Sequence, residues 1–121
     1  MRRLAILVLG ALLTAPFTTP SANAAYLWWM KVITRQKTYA SCMREAQNAA
    51  RRTLRDVRVT PDEVSGTSID GKVYVAIMGV ERGSSQRAVA IIAGVGDDRN
   101  WVRQIVQSTA EEVRTSGAPE Y

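Results

Sequence analysis

The sequence predicts an α+β domain in the order α-β-β-β-α, a three-stranded antiparallel meander packed by two helices, behind an N-terminal signal peptide. Two stretches with a 3.6-residue apolar period bracket a region of Val, Ile and Ala runs divided by turn residues, and this arrangement predicts the order. The 121-residue length leaves room for one core.

Residues 1–24 read as the export signal. Arg2 and Arg3 form a charged n-region, Leu4 to Leu13 an apolar h-region interrupted only by Gly10, and Ala22-Asn23-Ala24 places small residues where a signal peptidase reads them. A retained anchor is the competing reading. The apolar run, however, covers about half of the roughly 30 Å hydrocarbon core, and Pro16 and Pro20 interrupt its continuation. Arg2-Arg3 lacks the usual flanks of a twin-arginine signal, which favours the Sec route with cleavage after Ala24. The expected address is the periplasm or the exterior of a bacterial cell, with no transmembrane helix in the mature form.

Residues 25–37 form an aromatic and basic N-terminal segment, 38–116 a single domain and 117–121 a C-terminal tail. The first helix is expected from Thr38 to Val57, because Tyr39, Met43, Ala46, Ala50, Leu54 and Val57 fall at steps of four, three, four, four and three. Pro61 marks a point by which it has ended. Strands are then expected at Glu63 to Ile69, Lys72 to Val80 and Arg87 to Val95. The first two are joined by Asp70-Gly71, a favoured pair for a two-residue type I′ hairpin turn. A last helix follows from about Asn100 to Thr115, with Asp97, Asp98 or Asn100 as its cap and Gly117-Ala118-Pro119 beyond its end.

The second and third strands are apolar on both faces: Val73, Val75 and Ile77 alternate with Tyr74, Ala76 and Met78, and Val89, Ile91 and Ala93 with Ala90, Ile92 and Gly94. An antiparallel sheet with one wet face normally carries a polar row there. Two helices cover one face, so the other needs a cover of its own: the stretch Tyr26 to Met30, a second copy of the chain, or another protein. Tyr26, Trp28 and Trp29, with Val73, Val75 and Ile77, are the candidate interface residues, since large rings gain contact area at little rotamer cost.

A second candidate surface is the basic face of the first helix. Arg44, Arg51 and Arg55 fall on one stripe there, suited to phosphates of an anionic envelope polymer or lipid, although a solvated helix back gives the same pattern. The net charge of +5, two units of it on Arg2 and Arg3, is too mild to argue for nucleic acid by itself, and the lack of any binding module argues against it.

Catalytic chemistry finds little here. The chain has no His, which removes the commonest general base and the most frequent zinc ligand. Asp97-Asp98-Arg99-Asn100 lacks EF-hand spacing, and Gly94-Val95-Gly96 lacks the third glycine of a phosphate loop. No catalytic, cofactor-binding or metal-binding residue is assigned. Cys42, the single cysteine, reads as a small core residue, or as an intermolecular disulfide partner if exposed. The expected function is a non-catalytic binding or assembly module that contacts itself or another envelope protein. Docking of the Arg-rich helix on an anionic surface is the alternative, and a small enzyme comes third.

Overall fold

A computed structural model describes residues 25–83 and 85–120. The expected signal peptide lies outside them. The elements are β1 (Tyr26–Ile33), α1 (Tyr39–Thr53), β2 (Arg55–Val59), β3 (Val64–Thr67), β4 (Val73–Val80), β5 (Val89–Gly96) and α2 (Arg99–Thr115). The strands form one antiparallel sheet in the order β1-β5-β4-β3-β2. The sheet is five-stranded, which corrects the expected three-stranded meander.

Both additional strands come from segments assigned otherwise. Tyr26–Ile33, expected to precede the domain, runs antiparallel to β5 from Tyr26 opposite Gly96 to Ile33 opposite Val89. Its aromatic and β-branched residues suit a pleated surface. The first helix stops at Thr53 rather than Val57, with the Leu54 N–H still donating to the Ala50 carbonyl at 2.7 Å. Beyond it, Asp56 takes a left-handed φ of 52°, which no helix interior holds, and Val57 and Val59 carry the stiff branching that favours strands. Leu54 keeps its place in the core, yet now from the extended link between α1 and β2.

Both helices start on side-chain caps. Thr38 Oγ1 accepts from the Ser41 N–H at 3.1 Å, and Asp98 Oδ1 from the Trp101 N–H at 3.1 Å. The β3–β4 hairpin departs from the expected type I′ turn, which needs positive φ at both central residues. Only Gly71 has it, at 75°, and its N–H donates to the Ser68 carbonyl at 2.8 Å, so the loop is four residues long.

The helices lie side by side on one face of the sheet, called inner below. Val73, Val75 and Ile77 of β4 and Ala90 and Ile92 of β5 meet Ala46, Ala49 and Ala50 of α1 and Val102, Val106 and Ala110 of α2 there. Gly94 allows the closest approach. A Cβ added to it would stand 2.5 Å from Val106 Cγ2. The C-terminal tail is held to the β1–α1 loop: Gln36 Nε2 donates to the Ala118 carbonyl at 3.1 Å, and Glu120 Oε2 accepts from the Lys37 N–H at 3.1 Å.

Candidate functional site: the outer sheet face

No helix lies on the other face of the sheet among the described residues, and of the residues on it Val89 and Ser65 are buried. Strand alternation turns Leu27, Trp29, Lys31 and Ile33 of β1 outward, with Val89, Ile91, Ala93 and Val95 of β5 and Tyr74, Ala76, Met78 and Val80 of β4. Leu27 is 69% exposed, Trp29 60%, Ile33 56%, Tyr74 46% and Met78 38%, and Val80 and Val95 are exposed as well. Together these seven side chains present roughly 700 Å² to solvent, above the ~300–600 Å² of the largest apolar patch on a typical monomer.

The face has relief and charge. One cross-strand row, from Trp29 to Arg58, is low in its middle, at Ala93, Ala76 and Ser65. Taller rows flank it, Leu27–Val95–Tyr74 on one side and Lys31–Ile91–Met78 on the other. At its β2 end a depression of about 600 Å³ is lined by Arg58, Ser65, Thr67 and Tyr74, with Asp56 at the rim. Lys31 stands at one lateral edge, and Arg55 and Arg58 at the other. The centre is apolar and both flanks are basic.

The candidate interface residues separate accordingly. Trp29 is on the outer face, but Tyr26 and Trp28 point to the inner side, where the Arg99 and Arg103 guanidinium groups lie 5.8 and 5.9 Å from their ring centroids. Tyr26 to Met30 is part of the sheet and extends the face it was a candidate to cover. Val73, Val75 and Ile77 are core beneath the helices, so the surface they were assigned belongs to Tyr74, Ala76, Met78 and Val80. Alternation was visible in the sequence, but which row lay inward depended on where the helices sat.

The basic stripe divides too. Arg44 and Arg51 are exposed on α1, whereas Arg55 has left the helix and its Nη1 donates to the Ile69 carbonyl at 2.8 Å from β2. Arg44 pairs with Glu45 at 3.5 Å. Cys42 is 1% exposed, which overturns its role as an intermolecular cross-link. Burial pushes its thiol up from the ordinary value, with a side-chain hydrogen bond to Thr34 pulling the other way.

A second depression, about 520 Å³, lies where the β3–β4 hairpin meets the start of α2, among Asp70, Lys72, Asp97, Asp98 and Trp101. Its carboxylates have structural work. Asp98 caps α2, and Asp70 accepts from Ser68 Oγ at 2.5 Å, from the Lys72 N–H at 3.1 Å and from Trp101 Nε1 at 2.9 Å. These bonds, the Ser68 hydroxyl first, hold the Asp70 carboxyl below its usual value. Among the described residues no three His, Cys, Asp or Glu side chains group as metal ligands, and no helix is long and apolar enough to cross a membrane. No protein-family model, curated protein or solved structure matches the chain.

Proposed function

We propose that this protein is an exported, non-catalytic binding module of the bacterial envelope whose working surface is the outer sheet face, and that its partner there is another envelope protein with an apolar surface flanked by carboxylates. The observation that carries the reading is a sheet apolar on both sides with helices on one side only. The inner face is closed by α1 and α2, and an outer face of the same character is stable in water only at a cost that a partner removes.

Area and charge favour this partner. Roughly 700 Å² of exposed surface is close to the ~800 Å² that each side of a standard protein interface buries. A second copy laid face to face would set Lys31, Arg55 and Arg58 against the same basic flanks in either two-fold orientation, and such like-charge contacts are costly. Carboxylates on the partner turn the same positions into attraction.

A photoreactive side chain at Met78, with one at Gln47 of α1 as control, tests this in intact cells. The expected result is one protein adduct from Met78 only, lost when Lys31 and Arg58 are changed to Glu. Adducts with lipid alone, with the chain itself, or equally from both positions would overturn it.

A further inference from the structure

The two edges of the sheet are built differently. β2 is short, its register breaks between Arg55 and Arg58 around the left-handed Asp56, and it carries two arginines, the devices by which proteins keep an edge from pairing. β1 has none of that geometry. It is eight residues long, unbroken in register against β5, free of Pro, and charged only at Lys31.

The free side of β1 can be read from its ladder. Thr34 N–H donates to the Ala88 carbonyl at 2.9 Å, one position beyond Ile33 opposite Val89. Antiparallel ladders alternate, so Val32, Met30, Trp28 and Tyr26 also turn their backbone groups to β5, and Leu27, Trp29, Lys31 and Ile33 turn theirs to the open edge. These four residues offer a row of N–H and C=O groups with no strand beside them among the described residues.

We infer that the β1 edge pairs antiparallel with β1 of a second copy about a two-fold axis at Met30, joining the two sheets into one of ten strands. In this register Leu27 faces Ile33 of the second copy, and Trp29 faces Lys31 of the second copy. The one charge on the edge thus meets an aromatic ring instead of its own kind. All four outward-turned residues then form hydrogen-bonded pairs.

The adjoining helix supports the same axis. Arg99 lies over Tyr26 and Arg103 over Trp28, so α2 runs along β1 with four helical residues, about 6 Å, matching two strand residues, about 6.6 Å. Carried on by the same rises, Gln107 and Glu111 come level with Met30 and Val32. An axis at Met30 therefore sets Arg103 against Glu111 of the second copy, while an axis at Trp29 would not. Each Glu111 also pairs with its own Arg114, giving an alternation of charge across the junction. The outer face stays free in this dimer and is doubled in width. The inference is independent of what binds that face.

The test is the solution mass of the purified protein by light scattering, with charge-swapped and cysteine variants. A concentration-dependent dimer is expected. Arg103→Glu should weaken it about tenfold, with two repulsive pairs replacing two attractive ones, and Arg103→Glu with Glu111→Arg should restore it. Met30→Cys, on the axis, should form a disulfide-linked dimer on oxidation and Lys31→Cys should not, because only the former brings equivalent Cα atoms within bridging distance. A monomer at all concentrations, a dimer indifferent to Arg103→Glu, or a cross-link through Lys31→Cys in place of Met30→Cys would overturn the proposal. None of these results bears on cross-linking from Met78.

Discussion

Ile91 and Ile92 are adjacent on β5, chemically identical and on opposite faces, so truncating each to Ala measures what the two faces contribute. Ile92 is fully buried, with Met30 and Ile77 opposite it on the neighbouring strands. Its truncation removes three carbons at about 0.8 kcal/mol each and leaves a cavity that helix-on-sheet packing cannot close, for a total of about 3.5 kcal/mol. Ile91 is only partly buried, and water fills the space it vacates. Its truncation should cost about 1 kcal/mol. At ~4–8 °C per kcal/mol for a domain of this size, the thermal midpoints should fall by roughly 14–28 °C and 4–8 °C. Urea unfolding followed by circular dichroism reads both. If Ile92→Ala proves too unstable to isolate, Ile92→Val at about 1 kcal/mol against Ile91→Val near zero makes the same comparison. Equal costs at the two positions would refute the assignment of inner and outer faces.

Other outcomes follow from the packing and hydrogen bonds. Cys42 should resist thiol reagents in the folded protein and react on unfolding. Because burial raises its pKa, the folded state disfavours the thiolate, so stability should fall as pH rises through and above the thiol's ordinary 9.0; Cys42→Ala should remove that slope in pH-dependent urea titrations. Asp70 is shifted the opposite way, so its contribution is present above the ordinary 3.8 and lost as pH falls through its lower folded value. The Trp101 indole N–H resonance should report that titration with a midpoint below 3.8, and Asp70→Asn should abolish it. Gly94→Val should push α2 off β5, since even the first added carbon lies 2.5 Å from Val106. A loss of about 1–3 kcal/mol or more is expected by urea unfolding, and an unchanged midpoint would show that the helix does not approach the strand so closely.

Much of this architecture was legible in the sequence wherever one period dominated. The two helices, the cap of the second among Asp97, Asp98 and Asn100, and the segments of β3, β4 and β5 follow from apolar spacing and turn residues. β1 escaped because Tyr-Leu-Trp-Trp-Met is apolar at every position, so a strand wet on one edge and bare on one face shows no alternation. β2 escaped because Leu54 and Val57 prolong the helical period beyond the last helical residue, and nothing in composition announces that Asp56 will turn the chain. The two-sided apolar character of β4 and β5 was legible, and Tyr74, Met78, Val80 and Val95 stand exposed on the outer face. Its sidedness was not, since Val73, Val75 and Ile77 differ from Tyr74, Ala76 and Met78 by little that a helix position does not decide. Cys42 is the small core residue its place on the apolar flank of α1 suggested.

The openness of the outer face can be measured most directly with an apolar anionic dye, anilinonaphthalene sulfonate, added to the folded protein and to Met78→Lys with Val95→Lys. Both positions are exposed, so the fold should persist by circular dichroism. The native protein should bind the dye with enhanced emission, and the double variant should lose most of it. A folded native protein that leaves the dye dark, or a double variant that binds it equally, would contradict the claim that this face stands open for a partner.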